Sequence, residues 1–346
     1  MTQRQTSAPR GRWRGDLPVA EIAQLAGVSQ PTVSKVLNGR TGVGETTRRR
    51  VESLLREHGY RRPVRTLGAA GIEVLMSGML GAIAIEVVRG VEDVAAAQDL
   101  TVCLTDIGRR TAVGRPWIEP LLLRRPVGVI AAFAGFTSEH LQLLEANQIP
   151  VVTLDPMGDL HPTPSVGSNN WSGALAATRH LLALGHRRIA VITGPVRDLA
   201  ARARLDGFRA GLDAADVPFD EDLRRSGVFT FEDGRDLGLE LLRHPDPPTA
   251  VVCGDDLQAL GVYEAARISG LRIPDDLSVV GFDDIDHCAW AGPPMTTVRQ
   301  PFAEMGAAAA ELVLDLAAGD RPAQTRVELG AALIVRGSTA PPPAAG

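Results

Sequence analysis

The sequence has little of what builds disulfide frameworks, zinc sites or membrane spans. Its three cysteines, Cys103, Cys253 and Cys288, are too few and too widely spaced for a disulfide framework or a zinc site. No stretch approaches about 18 consecutive apolar residues, so we expect no membrane span. No apolar segment follows the N-terminal arginines, so we expect no secretion signal. The protein is therefore expected to be cytoplasmic and, if it binds DNA, associated with the nucleoid.

Aromatic residues and lysine are also scarce. Phe, Trp and Tyr make up 4% of a chain that is 45% hydrophobic, so its cores must be built from Ala, Val, Leu and Ile. Lys35 is the only lysine among 36 Lys and Arg residues. At 346 residues, the chain is long enough for two or three domains, each with its own core.

Common catalytic motifs are missing as well. The chain has no H-E-x-x-H, G-x-S-x-G, P-loop or G-x-G-x-x-G motif. One dense ionisable cluster, Asp283, Asp284, Asp286 and His287, has no second cluster with metal-ligand spacing to complete it. We expect no catalytic residue, metal or cofactor, and the cluster leaves an α/β enzyme acting on sugars as an alternative.

Charge is divided unevenly along the chain. Residues 1–65 carry 13 Lys and Arg against 5 Asp and Glu, a net charge of +8. The remaining 281 residues carry 23 basic and 36 acidic groups, a net charge of −13. A basic first segment suits contact with phosphate, and an acidic remainder does not.

The basic segment contains two predicted short helices joined by a turn at Gly27, in the stretch VAEIAQLAGVSQPTVSKVLN. Apolar residues recur at helical spacing on the first helix, and Ser29 is a suitable N-cap for the second. Val33 and Val36 give the second helix a buried side. Its other face carries polar side chains: Gln30, Thr32, Ser34 and Lys35. This pattern predicts a helix-turn-helix, whose second helix can enter a DNA major groove, with an ordinary helical hairpin as the alternative.

The segment AGVSQPTVSKVLNG resembles the signature of the lactose-repressor (LacI/GalR-type) family of bacterial transcription regulators, and matching features recur to about residue 338. The resemblance implies base-edge contacts from Gln30, Pro31 and Lys35. Lys35 can donate to guanine and Gln30 can pair with adenine, whereas Pro31 could only pack against a thymine methyl or shape the helix. The resemblance also implies phosphate contacts, which set register: Thr32, Ser34, Asn38 and Thr47.

Family members have a hinge helix after the head, with a leucine that wedges into the minor groove. The corresponding segment here, RRPVRTLGAAG, contains Pro63 and Gly68, which disfavour a helix. Leu67 is the candidate wedge, and operator bending remains open.

From residue 72 the pattern alternates strands and helices, which is typical of parallel sheets with helices on both faces. Strands are predicted at 72–76, 101–104, 128–132, 150–154, 189–193, 249–253 and 277–282. Helices are predicted at 84–97, 120–123, 138–146, 172–184, 199–215, 258–269 and 301–316. The resemblance implies two lobes connected like those of periplasmic sugar-binding proteins.

We therefore predict an all-α helix-turn-helix head and an α/β two-lobed body. The predicted divisions are a disordered arm at 1–16, the head at 17–62, a linker at 63–71, an effector-binding and dimerisation body at 72–338, and a frayed tail at 339–346. Within the body, the predicted first lobe comprises 72–185 with 300–329, and the second comprises 186–299 with 330–338.

Polar residues follow several predicted strands, and ligands of such sheets lie beyond the carboxyl ends of strands. A sugar requires carboxylates and a guanidinium for its hydroxyls and an aromatic face for its C–H groups. By resemblance, the effector contacts are Arg204, Phe229, Asp255 and Asp283, with Phe229 in a strand-like segment, GVFTF. Any one aspartate could instead cap a helix or a turn, which is the role expected for Asp256 and Asp284.

These features predict a homodimeric repressor of a palindromic operator, because one helix-turn-helix reads only a half-site. A small sugar is expected to control it. The segments PSVGSNNWSGALAATRHLLALGHRRIAVITGP and GDDLQALGVYEAAR resemble those of actinobacterial regulators of xylan and xylo-oligosaccharide use, which implies a pentose or its oligomers. A sugar-binding receptor without DNA function is the alternative, and the basic head argues against it.

The charge of the head predicts strongly salt-dependent DNA binding. The logarithm of the binding constant should fall with the logarithm of salt concentration with a slope of about −0.9 for each phosphate neutralised. A mobility-shift or anisotropy titration between about 50 and 200 mM salt measures this slope. A nearly flat dependence would contradict the electrostatic argument.

Overall fold

The computed structural model describes residues 19–37, 43–57, 71–76, 81–108, 117–134, 137–155, 163–320 and 322–343. Its contacts divide the chain into two units, 1–68 and 69–346, here called the head and the body. Helices of the described residues are all too short or too polar to cross a lipid bilayer.

The described part of the head consists of three helices: α1 (Val19–Ala26), α2 (Gln30–Leu37) and α3 (Glu45–Glu57). Gly27 has a φ of +65°, and the Val28 N–H donates to the Ala23 carbonyl at 3.0 Å, which closes the turn after α1. Ser29 Oγ lies 3.4 Å from the Thr32 amide nitrogen at the start of α2. A small apolar core joins the helices: Ile22, Ala23, Ala26, Val33, Val36 and Val51.

The body begins with five strands and three helices in the described residues. They are β1 (Gly71–Met76), α4 (Gly81–Ala96), β2 (Thr101–Asp106), α5 (Ile118–Arg124), β3 (Gly128–Ala132), α6 (Ser138–Ala146), β4 (Val151–Leu154) and β5 (Ser165–Ser168). Next come α7 (Asn170–Ala183), β6 (Ile189–Thr193), α8 (Leu199–Asp213), β7 (Arg224–Ser226), α9 (Phe231–Leu242), β8 (Ala250–Cys253), α10 (Asp256–Ile268), β9 (Ser278–Asp283), α11 (His287–Trp290) and β10 (Thr296–Arg299). The last elements are α12 (Phe302–Ala318), β11 (Arg326–Leu329) and β12 (Ala332–Ile334).

These strands form two six-stranded sheets within the described residues. The first has the order β11-β5-β4-β3-β1-β2, and all of its neighbouring strands are parallel. The second has the order β12-β10-β9-β8-β6-β7 and is parallel except where β12 runs antiparallel to β10. Every residue of β1 and β3 is buried, as expected for strands covered on both faces. We call the two sheets with their helices lobe 1 and lobe 2.

The chain passes between the lobes at three places in the described residues: 168–170, 299–302 and 329–332. After the first passage, α7 packs against lobe 2, where Ala174 and Ala177 share a core with Phe282. After the second, α12 returns to lobe 1, where Met305 packs in one core with Val87 of α4. These three segments, called the crossovers, are the covalent connections between the two lobes in the described residues.

Several elements of the body do not follow from the sequence pattern. Strands β5, β7, β10, β11 and β12 have only three or four residues, which is too short for a clear apolar run. Helix α9 contains two buried glycines, Gly234 and Gly238, which weaken its helical pattern in the sequence. Gly71 was predicted in the linker and is the first residue of β1.

The predicted frayed tail is wrong for its first residues. The Ala340 N–H donates to Ser278 Oγ at 3.1 Å, and Thr339 Oγ1 lies 2.9 Å from His180 Nε2. The preceding Ser338 is fully buried, and its hydroxyl donates to the Val279 carbonyl at 2.6 Å. Residues 338–340 therefore lie along lobe 2, because their polar groups bond to partners on β9 and α7.

His186 is buried in the same region and contacts two other segments of lobe 2. Its Nδ1 lies 2.8 Å from Thr249 Oγ1, and its Nε2 lies 2.8 Å from the Ala340 carbonyl oxygen. Burial lowers the pKa of His186 below its usual value, although the bond to Ala340 opposes this shift. These contacts give His186, in the Gly-His-Arg-Arg turn after α7, a structural role.

This pKa shift predicts a pH-dependent contribution of His186 to stability. His186→Gln should lower the free energy of unfolding by about 1–3 kcal/mol at pH 7.5, through lost buried hydrogen bonds. Because the unfolded chain binds a proton at His186 more readily than the folded chain, the parent should lose this advantage as pH falls below about 6.5. Urea unfolding of both proteins at several pH values measures the difference, and a difference independent of pH would contradict the assignment.

Candidate functional site

Helix α2 carries the residues predicted to contact DNA bases. Gln30 and Lys35 are exposed on this helix, outside the core of the head. Pro31 and Ser34 also belong to α2. An exposed polar face on the second helix is the arrangement that major-groove reading requires.

The residues predicted to contact phosphate are distributed over more of the head. Thr32 is half-buried on α2, with its Oγ1 2.9 Å from Ser29 Oγ, and Thr47 is half-buried on α3. Asn38 and the candidate wedge Leu67 lie outside the described residues. Of the predicted phosphate contacts, the Thr32 hydroxyl therefore lies near the start of α2, and the Thr47 hydroxyl lies on α3.

A cavity of about 550 Å³ lies between the lobes of the body. The four predicted effector contacts all line it: Arg204, Phe229, Asp255 and Asp283. The structure therefore brings together in one cavity side chains that the sequence separates by up to 79 positions. We call it the interlobe cavity.

Arg204 on α8 is held by groups from three other parts of the body. Its Nε donates to Asn170 Oδ1 at 2.7 Å, its Nη1 donates to the Gly254 carbonyl, and its Nη2 lies 3.6 Å from Asp283 Oδ1. The guanidinium also lies 4.0 Å from the centroid of the Phe282 ring. These contacts fix a cation in a mostly buried position at the wall of the cavity.

Asp283 is the last residue of β9 and connects the cavity to two crossovers. Its Oδ1 accepts a hydrogen bond from Gln300 Nε2 at 2.5 Å, and Gln300 Oε1 accepts one from Ser168 Oγ. Burial raises the pKa of Asp283 well above its ordinary value, and the nearby Arg204 cation partly opposes the rise.

Asp255 caps a helix and also lines the cavity, so the cap that the sequence offered as an alternative does not take it away from the predicted effector site. Its Oδ1 accepts the Gln258 N–H at 2.8 Å and so caps α10, while the residue also lines the cavity. Burial raises the pKa of Asp255 to about 6. A helix cap can therefore keep its second carboxylate oxygen available to a ligand.

The neighbouring aspartates hold loops, as expected. Asp256 accepts from Thr297 Oγ1 at 2.6 Å and from the Ile285 N–H at 2.9 Å. Asp284 pairs with Arg299 and with Arg336, each at 2.7 Å. The dense acidic cluster seen in the sequence is thus divided between the cavity and these loop contacts.

Phe229 lies in a loop, and its predicted strand is wrong. Strand β7 ends at Ser226, and Phe229 has a φ of +61°, which a strand residue does not adopt. Its ring packs against the backbone after β6, where a Cβ on Gly194 would lie 1.9 Å from the ring. Glycine at this position is therefore what allows the ring to reach the cavity.

Three residues that were not predicted from the sequence also line the cavity: Asp155, Phe133 and Phe302. Asp155 directly follows a predicted strand, as Asp283 does, and Asp255 follows one after a single glycine, so the same strand-end rule would have found Asp155. Phe133 and Phe302 meet edge to face with centroids 6.1 Å apart, and no sequence signal separates them from ordinary core residues.

Left-handed backbone conformations recur around the cavity. Phe133, Asp155, Phe229 and Asp283 have φ values of +51°, +45°, +61° and +115°. Such conformations are costly for residues with a side chain and persist where the surroundings impose them. Each of these residues lies at or beyond the end of a strand, so the backbone turns there to direct the chain around the cavity.

Comparison with known proteins gives the family. Residues 19–63 match the family described as "Bacterial regulatory proteins, lacI family", and residues 178–339 match the "Periplasmic binding protein-like domain". The HTH-type transcriptional repressor CytR of Escherichia coli K12 is 32% identical over 324 residues, which cover 92% of this chain and 95% of CytR. The chain belongs to the lacI family. The family and the helix-turn-helix plus α/β fold predicted from the sequence are thereby confirmed.

Two solved structures resemble nearly the whole lacI-family chain. A complex of the transcriptional regulator CelR with cellobiose has a TM-score of 0.67 and 32% identity, covering 93% of this chain and 99% of CelR. The lac repressor dimer bound to operator and the anti-inducer ONPF has a TM-score of 0.70 and 27% identity, covering 94% and 100%. The predicted function, a DNA-binding transcriptional regulator of the repressor type, is confirmed, and these relatives are regulators.

Proposed function

We propose that this lacI-family regulator acts as a homodimer on a palindromic operator, and that a small sugar in the interlobe cavity controls its binding. The observation that carries the proposal is the cavity itself, where a fixed guanidinium, open carboxylates and aromatic rings meet. This combination suits a polyhydroxylated ring. The site of action is chromosomal DNA, hence the cytoplasm.

The comparisons support each part of this proposal separately. CelR was solved with cellobiose, and the lac repressor was solved as a dimer on operator. Both cover nearly all of this chain. A catalytic role for the Asp283–His287 cluster has less support, because Asp284 is occupied by two arginines.

The residues that line the cavity suggest how effector binding affects the head. Both lobes line the cavity, so a ligand that touches both favours one arrangement of the lobes over another. In a dimer, that arrangement sets the spacing of the two heads. The coupling is reciprocal: if the sugar weakens operator binding, the operator weakens sugar binding by the same factor.

The base-reading role of α2 predicts a change of sequence preference on mutation. Lys35→Ala should cost about 1–3 kcal/mol at one base pair of each half-site and relax the preference there. Thr47→Ala should weaken binding to all sequences about equally, because phosphate contacts carry no sequence information. Competition mobility shifts over single-base operator variants distinguish the two effects, and an unchanged ranking with Lys35→Ala would contradict base reading.

The cavity predicts a variant that binds operator and no longer responds to sugar. Asp283→Asn keeps the size of the side chain and an acceptor for Gln300, and it removes a charged acceptor for effector hydroxyls. Effector affinity should fall roughly ten- to a hundredfold, as for loss of a charged hydrogen bond. The exposed Asp286→Asn serves as the matched control and should respond like the parent.

Mobility shift with the sugar panel, calorimetry and product analysis after long incubation measure these outcomes. Sugar consumed by the parent and spared by Asp283→Asn would favour an enzyme over a regulator at this site.

A further inference from the structure

Gln258 is a fully buried side chain that lies outside the wall of the interlobe cavity. It belongs to the first turn of α10, and its exposed fraction is 0%. The three residues before it, Asp255, Asp256 and Leu257, line the cavity, whereas Gln258 is not among the described residues of that wall. A buried amide requires partners for both its oxygen and its nitrogen, so these partners show what the side chain holds.

The Gln258 amide joins the ends of two neighbouring strands. Its Oε1 accepts the Gly254 N–H at 3.1 Å, just after β8, and its Nε2 donates to the Thr193 carbonyl at 3.3 Å, at the end of β6. Helix capping alone does not explain this arrangement. In a capping box, the third helical residue accepts from the N-cap N–H, which here belongs to Asp255, and it donates to no other strand. Gln258 therefore links the ends of β6 and β8.

These strand ends form the surface on which the Phe229 ring lies. A Cβ on Gly194, which follows Thr193, would lie 1.9 Å from ring atom Cζ, and one on Gly254 would lie 3.0 Å from ring atom Cε1. The ring thus packs on the backbone of both segments that Gln258 joins. We call the backbone of Thr193, Gly194 and Gly254 the ring seat.

The loop that carries the ring is bonded both to α9 and to the ring seat. Asp233 of α9 accepts the Val228 N–H through its Oδ2. The Gly227 N–H donates to the Thr193 carbonyl at 2.9 Å, and this is the oxygen that Gln258 also contacts. Loop and seat share a backbone group, so a shift of the end of β6 would move both.

The position of Arg204 depends on the ring seat less than the position of Phe229 does. Arg204 Nη1 donates to the Gly254 carbonyl, but two other residues hold the guanidinium as well. The Phe229 ring has no polar atom, so packing on the seat and the conformation of its loop place it. Among the predicted effector contacts, the orientation of this ring is therefore what a change at Gln258 should affect most.

We propose that Gln258 is a positioning residue of the interlobe cavity, whose amide fixes the ring seat and thereby the orientation of Phe229 toward a bound sugar. The inference rests on the proposed control by a sugar. A ring that is fixed before binding loses less freedom when a sugar packs on its face, so its fixation contributes to affinity. An amide is required because it offers an acceptor to the Gly254 N–H and a donor to the Thr193 carbonyl together.

Gln258→Met tests the amide, because methionine fills a similar volume and offers no strong donor or acceptor. Xylose, xylobiose, ribose and cellobiose are titrated into the full chain by calorimetry, and the sugar that binds the parent most tightly is the probe. Its affinity should fall about tenfold in Gln258→Met, a size typical of residues coupled through a shared backbone shift. Gln258→Leu replaces Gln258→Met if the latter does not fold.

Thr178→Val is the matched control for a general loss of stability. It removes another buried hydrogen bond of lobe 2, from Thr178 Oγ1 to the Ala174 carbonyl at 2.8 Å, and leaves the ring seat untouched. Its sugar affinity should equal that of the parent. An equal loss of affinity in Thr178→Val and Gln258→Met would overturn the positioning role, because destabilisation of lobe 2 would then explain both.

A double-mutant cycle tests whether Gln258 acts through the ring. Phe229→Leu removes the ring, so adding Gln258→Met to it should lower sugar affinity by less than about threefold further. A further loss of about tenfold in that background would overturn the proposal, because Gln258 would then act on another group.

The ring itself gives a readout that needs no sugar. NMR spectra of protein with isotope-labelled phenylalanine show the ring signals of its eight phenylalanines, and Phe229→Leu identifies the signal of Phe229. Gly194→Ala places a Cβ against the ring and supplies the reference for a displaced ring. Gln258→Met should shift or broaden the Phe229 signal, whereas Thr178→Val should not. An unchanged Phe229 signal in folded Gln258→Met would overturn the proposal.

The outcomes separate this inference from the proposed function. If no sugar of the panel binds the parent, control by these sugars is contradicted, and the Phe229 signal alone decides on the ring seat. If a sugar binds and alters operator binding, yet Gln258→Met binds it like the parent, sugar control stands and the positioning role is wrong. This holds even where the Phe229 signal shows a displaced ring.

Discussion

The buried guanidinium of Arg204 holds together parts of the body that lie far apart in the sequence. It joins the start of α7 through Asn170, the end of β8 through Gly254 and the end of β9 through Asp283. The face of Phe282 supports it at 4.0 Å, so the cation is stabilised without being exposed. Removing such a cation would leave carboxylates buried without compensation, which is more damaging than the loss of the pair alone.

The same contacts reach the crossovers that connect the lobes. Asn170 and Ser168 belong to the first crossover, and Gln300, which bonds to both Ser168 and Asp283, belongs to the second. The third crossover is tied to the first, because the Asn169 N–H donates to the Leu329 carbonyl at 2.8 Å. A ligand that binds Asp283 or Arg204 therefore competes with the hydrogen bonds between these residues and the crossovers. Ligand binding can change the arrangement of the lobes in this way.

The sequence predicted the parts of this structure that repeat and missed the parts that depend on contact between distant segments. Central strands such as β3 and β6 are continuous apolar runs, and their predicted bounds agree with the structure. Edge strands such as β7 have no such run. Asp255 and Asp283 were found because they follow strands, whereas Phe302 reaches the cavity only because α12 returns from the second crossover. The left-handed turn at Phe229 depends on space left by Gly194, which no local pattern records.

The acidity of the cavity has a consequence for the stability of the body. A carboxyl whose pKa is raised on folding stabilises the folded chain less as pH increases through that value, because the unfolded chain ionises at lower cost. Asp155 and Asp255, each with a pKa of about 6, therefore weaken the folded body at neutral pH. A ligand that neutralises them removes this penalty only while it is bound. A ligand that contacts both lobes would offset such costs in one arrangement of the lobes more than in another, which is how a small ligand could favour that arrangement.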